Sequence, residues 1–189
     1  MYFILKNDIL LDLPAVDLNE SENTSSVCYA NGKKITENVN NPIVINTTAT
    51  IGEQMVDFRD GSILIMSKRF LELFKAAGVD NLQIFPVIIK STTDGTVWED
   101  YFAVNILTMI SCADLSKSDY SEIIAGVFFS FHELAIDVEK TQGALLFRLQ
   151  EDPTTIIMHR SVGRYVRQQD PDKTLLGWTI GTIIQDSME

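Results

Sequence analysis

The chain has 189 residues, 46% of them hydrophobic and 22% charged, the composition of an ordinary globular protein long enough to bury a real core. Its formal net charge of -11 argues against nucleic acid and against anionic membranes, which recruit clustered Lys and Arg, and it fits either a basic partner or plain solubility. Two cysteines without metal spacing, no convincing signal peptide and no run of about 18 apolar residues point to a cytoplasmic protein.

In chain order, "YFIL" (2–5) reads as a first strand, and residues 17–41, rich in Asn, Ser, Thr and Glu, read as a loop or a poorly packed lobe. "PIVINTT" (42–48) is a short strand with Pro42 at its start, where a missing N–H does least harm. Residues 1–60 are therefore expected as a weakly patterned portion packed on a main domain, 61–189. From Gly61 the signal sharpens. "SILIM" is extended, and Ser67 precedes "KRFLELFKAAG", whose Phe70, Leu71, Phe74 and Ala77 form one helical face before Gly78 stops it. "LQIFPVII" (82–89) is a strand in which Pro86 implies an edge or a bulge, and the Asp94-Gly95 turn predicts an antiparallel hairpin over 82–107.

"SCADLSKSDYSE" is a polar linker, and "IIAGVFFSF" (123–131) is open between a strand and a buried helix. Leu134, Ile136 and Val138 alternate with Asp137 and Glu139, the period of a half-buried strand. "KTQG" turns the chain into "ALLFRL", "TTIIMHRSVGRYVRQQ" (154–169) passes from strand to short helix, and "GWTIGTII" adds a last strand. The sum is α+β, mainly antiparallel strands with a few short helices. "ILIMSKRFLELF" and "TIIMHRSVGRYV" share one local plan: apolar strand, polar junction, short helix.

Few residues promise chemistry. Ser67 is best read as a helix cap, because a nucleophile needs a Gly-x-Ser-x-Gly elbow with a histidine and an acid, and its neighbours are Met66 and Lys68. His132 and His159 have no metal-pair spacing, and no Gly-rich phosphate loop is present. An enzyme would have to assemble its site from scattered residues such as His132, His159 and Asp114, and a metal site would need the two histidines, Cys112 and Asp114 to converge in space. No catalytic, cofactor or metal residue is assigned. Arg160, Arg164 and Arg167 form a basic patch at helical spacing, open to an anionic partner but expected to pair with the chain's own acids. Whether Cys28 and Cys112 form a disulfide stays open.

Three stretches carry a resemblance. They are "ILIMSKRFLELFKAAGVDNLQIFPVII", then "YFAVNIL" with the polar segment holding Asp114 and Ser118, and then "LAIDVEKTQGALLFRLQ" with "TIIMHRSVGRYVRQ". In this order the chain resembles, over roughly 61–185, the predicted immunity-protein domain of bacterial polymorphic toxin systems, the myxobacterial-type domain. The resemblance implies a non-enzymatic protein that binds and neutralises a cognate toxin, and it carries over no catalytic residues. A basic toxin would suit the net charge. A small-molecule-binding or oligomeric scaffold domain is the alternative, with an enzyme after it. Surface acids are too many for the pattern to assign a binding face.

Overall fold

The computed structural model describes residues 1–9, 16–17, 28–39 and 41–185, so residues 18–27 of the expected loop lie outside the described part. The chain runs β1 (Tyr2–Asn7), β2 (Val16–Asp17), β3 (Ile43–Thr47), β4 (Phe58–Arg59), β5 (Leu64–Ser67) and α1 (Lys68–Ala76). There follow β6 (Leu82–Ser91), β7 (Val97–Ile106), β8 (Met109–Ile110), β9 (Asp119–Ile124) and β10 (Phe128–Glu133). After a 3-10 turn (Glu139–Thr141) come β11 (Leu146–Leu149), β12 (Ile156–His159), α2 (Arg160–Gln169) and β13 (Trp178–Gly181). The fold is α+β with mostly antiparallel pairing.

Two larger sheets carry the structure. One is six-stranded, in the order β2-β3-β6-β7-β5-β4, and the other five-stranded, β13-β1-β12-β11-β8. The pairs β3–β6 and β8–β11 are parallel, and the others are antiparallel. Strands β9 and β10 pair only with each other. The portion 1–60 supplies strands to both larger sheets: β1 lies between β12 and β13, and β3 lies beside β6.

Why the strands read as unbroken apolar runs follows from what covers each face. Leu64 and Met66 of β5 and Val104 and Ile106 of β7 enter one core with Leu146, Ile156 and Met158 of the other sheet and with the buried faces of both helices. The alternate residues Ile65 and Ala103 face a second cluster with Tyr29, Ile35 and Val39, which come from the described part of the expected loop. Gln83 holds that cover by accepting from Ile35 N–H at 2.8 Å and donating to its carbonyl at 2.9 Å. On the five-stranded sheet, Phe147, Leu149 and Ile157 face a third cluster with Tyr2, Cys112, Leu134 and Ile136. Both sheets are thus covered on both faces, so β5, β11 and β12 lose period-2 alternation, while β6 keeps it over 84–91.

Several local readings hold and others need correcting. The 82–107 hairpin forms, and its register shifts between Val87 and Ile89. Pro86 lies inside β6, yet β3 begins to pair only at Val87, so the missing N–H falls where that side of β6 is open. At the end of α1, Gly78 (φ +96) lets its own N–H reach the Lys75 carbonyl while Val79 N–H reaches that of Phe74, a Schellman closure. Residues 133–139 do not form the expected strand. Leu134 and Ile136 are buried, but the backbone meets single residues on either side, Ala113 to Ile136 and Ala135 to Ile184, and no ladder develops. "IIAGVFFSF" is strand, and Phe129 alone in it is buried: it turns at Ala125-Gly126 into the β9–β10 hairpin, with Gly126 at φ +67.

Candidate functional site

The junction at Ser67 is structural. Its Oγ accepts from Phe70 N–H at 3.3 Å and donates to Asp57 Oδ1 at 2.5 Å. Asp57, buried, also accepts from Arg69 Nε at 2.6 Å and from Leu176 N–H at 2.8 Å. The hydroxyl proton is therefore engaged, and Asp57 ties the start of α1 to the segment before β13. Tyr101, nearby, is pushed up to about 12 by burial and then by the Asp57 charge. The same plan recurs at the second strand-to-helix junction, where His159 Nδ1 accepts from Ser161 N–H at 3.3 Å. That capping role requires an unprotonated Nδ1. Burial, and after it the positive amino terminus, lowers the imidazole's pKa.

The candidate catalytic residues keep to separate partners. His159 stands edge-on to Tyr2, with ring centroids 5.0 Å apart. His132 is exposed on β10 and shares a 3.3 Å contact with Ser121 Oγ. Asp114 closes a turn through Ser116 and pairs with Lys117 at 3.4 Å. Cys112 is buried and free, its thiol pushed up to about 12 by burial, then by Glu151 and Asp137, while Cys28 is free and exposed. Among the described residues no group of three His, Cys, Asp or Glu side chains could hold a metal ion.

The arginine patch departs from the sequence reading. Arg160, Arg164 and Arg167 find no carboxylate among the described residues; Arg167 instead lies over Trp178, 5.8 Å from its ring centroid. They edge a recess of about 440 Å³ whose walls include Phe3, Met158 and Ile180. The buried cation is elsewhere. Arg148, 1% exposed, donates to the Pro153 carbonyl at 2.8 Å and stands 3.5 Å from Asp60 Oδ1, linking the two sheets. Burial raises the Asp60 pKa against the lowering pull of Arg148.

Sequence reasoning missed the surface that stands out most. Residues 121–128 are all exposed, and among them are Ile123 (67%), Ile124 (52%), Val127 (54%) and Phe128 (38%). The root of this hairpin is fixed. Tyr120 meets Phe129 edge-on at 5.2 Å, Phe129 is buried, and its N–H donates to the Glu151 carbonyl at 2.9 Å. A glycine in the middle of a nine-residue apolar run was the available signal, because it divides the run into two short strands with a turn between them.

A comparison with curated proteins finds no match. A comparison with protein-family models matches one family, described as an immunity protein family, over residues 4–179. The match runs from Ile4 within β1 to Thr179 within β13, the N-terminal strands included, and the chain belongs to the Imm11 immunity protein family.

Proposed function

We propose that this chain neutralises a cognate toxin by binding it, without chemistry of its own. Family membership across both sheets is the observation that carries the reading. The net charge of -11 favours a basic toxin, since opposite charge speeds encounter. The free thiols of Cys28 and Cys112 support action in the reducing cytoplasm. The test is capture followed by rescue. Proteins retained by the tagged chain are expressed alone and together with it. A partner that arrests growth alone and not in the pair supports the reading; capture of no such partner refutes it.

The arginine recess favours one second reading, a small anionic ligand. Three guanidinium groups along one helix face repel each other when no anion stands between them. Titration with inorganic phosphate and pyrophosphate, read by the thermal midpoint, tests it. A saturable rise lost in Arg164→Gln supports a ligand, and no shift at millimolar anion removes this reading.

A further inference from the structure

We propose that the β9–β10 hairpin is the docking element, its apolar tip seating in a basic-rimmed hollow of the toxin. This rests on the toxin-binding reading and adds to it a surface and a polarity. The tip presents Ile123, Ile124, Val127 and Phe128 to solvent, and an exposed apolar cluster of this kind marks an interaction site more often than it serves the fold. A free two-stranded hairpin is marginal in water. This one is held by the Tyr120–Phe129–Phe131 aromatic group at its root, so its tip is presented in a fixed place.

Charge chooses the occupant. The hairpin itself carries Glu122 beside the tip, and Asp119 facing Glu133 at its open end, and no lysine or arginine; Asp137 beyond it is paired with Lys140. An apolar centre within an acidic surround fits a partner with the reverse arrangement, an apolar hollow edged by Lys and Arg. A second copy of this chain fits badly, because pairing tip to tip brings two acidic surrounds together.

The experiment uses the growth-arresting toxin recovered by the wild-type chain, purified, with affinity measured by calorimetry and association rate by stopped flow, at low and high salt. Ile124→Ser/Val127→Ser removes the tip, Val127→Lys alone opposes a basic partner, and Glu122→Gln/Glu133→Gln thins the acidic surround. Glu72→Gln/Asp80→Asn, two exposed acids on and just after α1, is the control away from the hairpin. The tip variants are expected to raise Kd by about a hundredfold with an unchanged thermal midpoint, as loss of two central anchors does. The acid variant slows association by about tenfold at low salt, and the difference closes at high salt. The control binds as wild type. A folded tip variant that binds within about threefold of wild type overturns the hairpin and leaves toxin binding intact. A chain that is dimeric in solution, and monomeric only in the tip variants, also overturns it. Capture of no growth-arresting protein removes toxin binding and the hairpin's partner together.

Discussion

Substituting Asp57 by alanine tests whether the Ser67 junction is architecture. The Asp57 carboxylate is 2% exposed and takes hydrogen bonds from Ser67 Oγ, from Arg69 Nε and Nη2, and from Leu176 N–H. Arg69 is 54% exposed, so water replaces the carboxylate there and its ion pair adds little. The Ser67 hydroxyl and the Leu176 N–H lose their acceptor in partly or fully buried surroundings. Each loss costs about 2 kcal/mol, giving about 4 kcal/mol for Asp57→Ala. In a chain of this size that lowers the thermal midpoint by about 10 °C. Asp57→Asn keeps one carbonyl acceptor and should lose about half as much. Ser67→Ala removes the cap and one donor and should cost about 1 to 2 kcal/mol. Urea unfolding of the singles and the double gives the coupling, and toxin neutralisation should persist in Ser67→Ala. A loss below about 1 kcal/mol in Asp57→Ala, or abolished neutralisation in a fully folded Ser67→Ala, refutes the reasoning.

Three further outcomes follow from the geometry. His159→Ala should cost about 1 kcal/mol at neutral pH, measured by urea unfolding. Because the folded imidazole has the lower pKa, the unfolded chain takes up the proton first, so stability falls as pH drops from about 6.5 through the folded value. The pH dependence in that window should shrink in the variant; an unchanged profile counts against the cap. With a thiol reagent at pH 8, Cys28 should react at once and Cys112 only on denaturation, its thiol being buried and pushed up to about 12. Two equally fast thiols would contradict the burial. Gly177→Ala should cost about 3 kcal/mol, since φ is +86 and the new Cβ would lie 2.6 Å from the Phe58 carbonyl oxygen. Gly126→Ala, at positive φ but in open space, should cost only about 1 kcal/mol, and equal losses in thermal unfolding would refute the clash.

Local chemistry was the legible part of this chain. Ser67, Gly78 and the Asp94-Gly95 turn each act within a few residues of themselves, so pattern and propensity place them. The exchange of partners at 133–139 depends on Ala113 and Ile184, which no local window contains. The burial of Arg148 depends on Asp60, far away in sequence. The hairpin surface was hidden for a different reason. Apolar residues normally signal a core, and only the fold reveals that Ile123, Ile124, Val127 and Phe128 are exposed.

The placing of β1 between β12 and β13 sets an order of events in synthesis. Strands β2 to β7 form a contiguous stretch and can close the six-stranded sheet while the remainder is still being made. The five-stranded sheet needs both extremes of the described chain at once: Tyr2 and Gln185, 183 positions apart, exchange hydrogen bonds at 2.9 Å. Closing it joins positions 183 apart, so this sheet waits on the synthesis of β11, β12 and β13.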